Sequence, residues 1–340
     1  MSTAIEWSDA LQRHVDRSNP GERATPVVDR IRAAISDGRP CDAARLIDYF
    51  MELAAVRHAS YNGGRWQRIE TWLGSHGWGE SRIKTKAAEI IDQLEWPDGS
   101  PYDPLHDWRR LAARARVLAA ELRTARIETA DALDELEGLL TAWRELHDRS
   151  LDYIVGFLNE IVRDFGEAAL GDAMRTILTG TIRGDEPPES ILEHVLSGMA
   201  GHVSGPGRRG GIEFTEHPDR WELEFDPCGS GGRSFRDSEH ASTTLRSARP
   251  LGFDALTEPH EWAWNTPGVC HYCTHCCLGM QLMPIEENGR PNVVVTPPAW
   301  DADSGRAHPV KCRFEIYKDP ASIPANAFTR VGQAPPSGRP

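Results

Sequence analysis

Six of the seven cysteines in this 340-residue chain lie between positions 228 and 312, and four of them fall within eight residues, in Cys270-His271-Tyr272-Cys273-Thr274-His275-Cys276-Cys277. An odd, clustered set of this kind reads as metal ligands rather than as a disulfide framework. The pairs 270/273 and 273/276 both have C-x-x-C spacing, which brings two thiolates to one ion. Tetrahedral zinc then asks for two more ligands. Cys228, in Asp226-Pro227-Cys228-Gly229-Ser230-Gly231-Gly232, and Cys312, in Val310-Lys311-Cys312-Arg313, are their natural sources. The expected metal site is therefore Cys228, Cys273, Cys276 and Cys312, with Cys270, His275 and Cys277 as alternates. An iron–sulfur cluster stays open as the rival: Cys270, Cys273 and Cys276 plus one remote cysteine match a four-iron pattern, although position 280 is Met where a bacterial ferredoxin run would continue. Burial as small hydrophobes accounts for Cys41 and Cys277 but not for four thiols in eight residues.

Around this cluster the chain divides by pattern. Residues 1–200 read as a helical bundle. Apolar residues Leu151, Ile154, Val155, Leu158, Ile161, Val162 and Phe165 line one face of a helix over 151–165, with Ser150 as its N-cap. Leu133, Leu136, Leu140 and Trp143 predict another just before it, capped by Thr129. Further helices are predicted over 42–59 and 106–125, separated by Pro97, Gly99, Pro101 and Pro104. Segments 45–75 and 139–169 share a loose likeness, each with a Leu-rich turn and then His58 or His147. A glycine-rich stretch from Gly201 to Gly211 marks a change of character. Beyond it, Ile212 and Phe214, then Trp221, Leu223 and Phe225, alternate with polar residues about the turn at His217-Pro218-Asp219-Arg220, which predicts a hairpin. Asn288-Gly289 predicts a second hairpin over 278–296. The expected class is α+β: a helical domain over 1–200, a smaller cysteine-rich, hairpin-rich metal-binding domain over 201–331, and a disordered tail over 332–340.

Other residues suggest chemistry beside the metal. The run Gly229-Ser230-Gly231-Gly232-Arg233 follows a strand, and its backbone N–H groups with Arg233 form a candidate anion-binding loop. The other reading is a tight turn wrapping the metal. His275 sits between two expected ligands and is the candidate proton carrier, with Arg233 holding the substrate. His202, His240, His260 and His308 read as surface or packed histidines, and Trp262 and Trp264 as cover for the metal. Glu145, His147, Asp148 and Asp152 lack the Glu-x-x-His spacing of a carboxylate metal site, and read as solvated or cap-forming charges on different helix faces.

The net charge of −13 repels phosphate backbones and anionic membranes, so neither nucleic acid nor a membrane is an expected partner. Gly207-Arg208-Arg209-Gly210 is a short basic run. No apolar stretch is long enough to span a bilayer, and no secretory signal opens the chain. The expectation is a soluble, cytoplasmic protein in which thiols stay reduced. Two functions remain open: a zinc-dependent hydrolase or lyase acting on a small polar or anionic molecule, and a non-catalytic protein with a structural zinc and a helical interaction surface. An iron–sulfur redox protein is the third.

Overall fold

The computed structural model describes residues 4–9, 12–180, 186–232, 254–297, 300–301, 306–307 and 311–336. Arg233, His240 and His308, and residues 337–340 of the tail, lie outside the described residues. The chain is mixed helix and antiparallel sheet. It opens with a hairpin that the sequence patterning did not predict, β1 (Ile5–Ser8) against β2 (Arg13–Asp16). Helices α1 (Pro20–Ala24), α2 (Val27–Ser36), α3 (Pro40–Ala59), α4 (Trp66–Ser75), α5 (Glu80–Asp92) and α6 (Pro104–Arg123) follow. Between α3 and α4 the helical path continues through a π-helical segment, Ser60–Arg65, so these elements form one bulged rod. The predicted helices over 42–59 and 106–125 correspond to α3 and α6.

The centre of the bundle is α7 (Thr129–Phe165), 37 residues long. The two helices predicted there are one. Thr129 is its first residue rather than a cap, and Ser150 is no N-cap: its Oγ donates to the Leu146 carbonyl one turn back. The reason lies in burial. From Ser150 to Asn159 every α7 residue is buried, so the helix is enclosed on all sides and has no polar face to mark an end. It stops at Gly166, whose φ of 83° only glycine adopts readily. Helices α8 (Glu167–Leu178) and α9 (Pro188–Ala200) complete this part. The loose likeness of 45–75 to 139–169 ends at the sequence: the first is bulged at Ser60–Arg65, the second is unbroken.

Strands β3 (Glu213–Glu216) and β4 (Arg220–Phe225) form the predicted first hairpin. The second does not form. Cys270 leads instead into a 3-10 turn (His271–Cys273), a single turn α10 (Thr274–Cys276), a π-helical segment (Cys277–Leu282) and α11 (Met283–Asn288). Asn288-Gly289 closes a helix: Gly289 has φ 73° and its N–H donates to the Ile285 carbonyl. The left-handed glycine that suits a hairpin turn suits a helix C-terminus equally. Strand β5 (Val294–Thr296) follows, then a two-residue ladder of β6 (Trp300–Asp301) with β7 (Arg306–Ala307), and β8 (Cys312–Tyr317). The main sheet runs β3-β4-β8-β5, all antiparallel. Trp221, Leu223 and Phe225 of β4 face inward with Cys312, Phe314 and Ile316 of β8, and the Phe225 and Phe314 rings meet edge to face at 4.9 Å. A last turn, α12 (Asn326–Thr329), packs Phe328 into the interior. One continuous core runs through helices and sheet, from Ile5 to Val331. Among the described residues, no helix is long and apolar enough to cross a membrane.

Candidate metal centre

Three segments far apart in sequence deliver thiols to the seam between bundle and sheet. Strand β4 ends at Phe225 and the chain turns through Pro227 to Cys228, whose Sγ lies 3.1 Å from Ser230 Oγ. Gly229 and Gly231 are there for room. A Cβ on Gly229 would overlap the His202 carbonyl oxygen; one on Gly231 would overlap Cys273 Sγ and stand 3.4 Å from Cys270 Sγ. No glycine of this loop has a positive φ; the requirement is close approach. Cys270 bridges to Ala255 and accepts the Cys273 N–H at its carbonyl, closing the knuckle at 2.8 Å. Cys273 and Cys276, three apart on one helical turn, share a face. Cys312 opens β8 directly opposite Phe225, which sets it beside the Cys228 loop.

Electrostatics tie these five thiols together. Cys273 is pushed well up by its bond with Cys270 and by burial, and further by Cys228 and Cys276. Burial raises Cys276 and Cys312 strongly, and Cys228 raises both again. The thiolates of Cys273, Cys276 and Cys312 are disfavoured by an apolar setting and by their neighbours' charge. Cys277 belongs elsewhere: its Sγ reaches the Glu261 carbonyl at 3.6 Å, and burial lifts it to about 12. Cys41, expected to be buried as a small hydrophobe, is instead exposed at the start of α3. All seven cysteines are free thiols. Among the described residues, no three Cys, His, Asp or Glu side chains stand converged as a finished ligand set.

A polar wall backs the thiols. His275 Nδ1 sits 2.6 Å from the Tyr272 carbonyl. A carbonyl only accepts, so Nδ1 carries the proton and Nε2 presents a lone pair, 3.4 Å from Cys276 Sγ. Burial, with Arg65 nearby, lowers His275 to about 3. The Tyr272 hydroxyl, deep in the interior, accepts from Arg65 Nη1, and the Arg65 guanidinium lies over the Tyr61 and Tyr272 rings at 5.5 and 5.6 Å.

Beyond Tyr61 runs a buried relay that the sequence patterning did not reveal. Arg208 holds Asp148 with two bonds, of 2.6 and 2.7 Å. The Asp148 carboxylate lies 3.1 Å from His147 Nδ1, and His147 Nε2 lies 2.8 Å from His202 Nδ1. The Tyr61 hydroxyl stands 3.3 Å from the same His202 nitrogen. His147, Asp148 and Asp152, read above as solvated or cap-forming charges, are buried, and His147 and Asp148 touch instead of pointing apart. One signal was available: the nearly unbroken apolar run after Ser150 marks an enclosed helix, on which charged groups need partners. Their partners, His202 and Arg208, come from the glycine-rich stretch, which no local pattern links to α7.

The remaining candidates make contacts of their own. Trp262 lies against Gly171 and stacks on His260 at 4.5 Å, and Trp264 Nε1 donates to Gln281 at 3.2 Å. His260 pairs with Glu167 at 3.0 Å. A groove of about 410 Å³ runs between α1 and the β3–β4 hairpin, bordered by Asp29, Glu213, Glu224 and Asp226. It passes behind the strand that leads to Cys228, and none of the thiols lines it. No family model, curated protein or solved structure matches the chain.

Proposed function

We propose that this chain is a zinc protein, that Cys228, Cys273, Cys276 and Cys312 hold the ion, and that the centre serves hydrolytic or lyase chemistry on a small anionic molecule. The observation carrying this reading is the delivery of thiols from three remote segments to one seam, with glycines cleared at the contact. Five neighbouring thiols, three of them buried, are poor company as anions. A divalent cation removes that penalty, because it binds thiolates and releases their protons. Completing the tetrahedron asks the thiols to turn about χ1 between staggered positions. Where one of the four thiols gives its position to water or substrate, bound zinc would supply a Lewis acid for a carbonyl or a water. His275 supports chemistry over a mere staple. Its Nδ1 is fixed on a carbonyl, the arrangement that orients metal-site histidines, and its Nε2 turns a lone pair toward the cluster, where it would accept a hydrogen bond from a water or substrate on the metal. The reading goes with a reducing, cytoplasmic setting.

Cys270 favours a second reading. It shares the knuckle with Cys273, so the set Cys270, Cys273, Cys276 and Cys228 also suits a four-iron cluster. Elemental analysis of anaerobically purified protein separates the readings. One zinc per chain is expected, lost in Cys273→Ser and kept in Cys277→Ser and His275→Ala. Iron with acid-labile sulfide moves the assignment to a redox centre. Protein free of both overturns the metal reading. Zinc retained by four cysteines with no exchangeable ligand makes the ion a structural staple.

A further inference from the structure

Two arginines converge on the thiol seam from the helical side. Arg57 lies near the end of α3 and Arg65 closes the π-helical segment that follows. Both charges bear on the same three side chains, His202, Tyr272 and His275. Among the described residues, neither guanidinium has a carboxylate partner. Arg57 Nε donates to the Gly198 carbonyl at 2.9 Å, and α9 leaves so little room there that a Cβ on Gly198 would overlap Arg57 Nη2. Arg65 Nη1 donates to the neutral Tyr272 hydroxyl, and its Nε is buried with no hydrogen-bond partner. Arginine does not shed its proton, so two positive charges stand beside His202, Tyr272 and His275 with no carboxylate to meet them among the described residues. Such an arrangement is costly without an anion.

The backbone and the pattern of exposure agree with this. π-helical turns are rare and concentrate at functional sites. Here one ends at Arg65 and another begins directly after Cys276, so both flank the seam. Tyr272, His202, Cys270, Cys273 and Cys312 are buried, whereas Cys228, Cys276, Arg57 and Arg65 are half-buried. Cys228, Cys276 and the two arginines are thus the more exposed members of the seam.

We infer that Arg57 and Arg65 are the substrate-recognition residues of this centre, and that they take an oxyanion, a carboxylate or phosphate borne by a small molecule. This rests on the proposed metal site and names its substrate class. The guanidinium fork of Arg65 offers the Nε edge to two oxygens of the ligand, while Arg57 adds charge from the α9 side. The recognition role thus falls to the helical part, apart from the glycine loop.

Calorimetric titration tests it, with inorganic phosphate and succinate as probes. The zinc-loaded protein is compared with Arg65→Gln, Arg57→Gln and Arg65→Lys, with circular dichroism and zinc content recorded for each. Saturable binding of at least one probe is expected, weakened tenfold or more in Arg65→Gln and partly retained in Arg65→Lys. The probe that binds tells carboxylate from phosphate. Folded variants that bind as tightly as wild type, or a wild type that binds neither probe, overturn the inference. Zinc loss in both Gln variants, with no anion bound by wild type, also overturns it and makes the arginines counter-charges to the thiolates. If the wild type holds no zinc yet binds the anion through Arg65, the recognition site stands and the metal reading falls.

Discussion

At the scale of single residues, the enclosed Asp148–Arg208 pair has the most to lose. Both side chains are almost wholly buried, and Arg208 sits at φ 54°, a left-handed conformation that a non-glycine keeps only when its surroundings hold it. Burial lowers Arg208 to about 10, so it is still charged at neutral pH. Arg208→Met strands a carboxylate in the interior and is expected to cost about 3–5 kcal/mol in urea unfolding; adding Asp148→Leu restores part of it. The pH dependence has a definite sign. Burial holds His58 and His202 below the ordinary histidine value, so the unfolded chain takes up protons first on acidification. Their contribution is complete above about pH 6.5 and declines below it, by up to about 1.4 kcal/mol per pH unit for each histidine. Burial alone would raise Glu167, but bonds from Thr257, His260 and Glu258 hold it down at about 2. Its contribution is present above its ordinary value near 4.5 and fades toward pH 2. The urea midpoint is therefore expected to fall between pH 7.5 and 5.5, and again below pH 4.5. A flat midpoint from pH 7.5 to 5.5 contradicts neutral burial of the two histidines.

At the scale of elements, local spacing was legible wherever it alone decides structure. Alternation at Trp221, Leu223 and Phe225 gave a strand, and C-x-x-C gave the knuckle. Punctuation was less legible, because it has more than one structural solution. Ser150 has the chemistry of a cap, yet within an unbroken helix its hydroxyl turns back on Leu146. Asn288-Gly289 fits a hairpin turn or a helix end, and the helix won because Leu282 and Ile285 are buried from a helical face. Arg57 and Arg65 resembled any basic residues on an amphipathic rod; only the π-helical segment between them and the approach of Tyr272 give them a common target. Gly231 yields an element-level prediction. Gly231→Ala alters no ligand but drives a methyl into Cys273 Sγ, so zinc content is expected to drop at least several-fold while helix content is kept, as read by elemental analysis and circular dichroism. Full zinc occupancy in this variant contradicts the tight loop contact.

At the scale of the whole molecule, the sequence divides at the glycine-rich stretch but the core does not. Bundle and sheet share one interior, and the thiols, the arginines and the Asp148-His147-His202 relay all meet near the seam. The cysteine cluster was legible because its spacing is local. The polar wall was not, because Tyr61, Arg65, His147, His202 and Tyr272 come from four segments that only tertiary packing unites. A centre so enclosed is expected to couple metal to folding, so removing zinc with a chelator lowers the melting temperature of the whole chain in a single transition rather than loosening the sheet alone. The most direct test is X-ray absorption at the zinc edge of protein purified anaerobically. The account predicts a shell of sulfur neighbours at about 2.3 Å, reduced by one in Cys312→Ser. Zinc surrounded only by oxygen and nitrogen, or a chain that takes up no zinc, contradicts it.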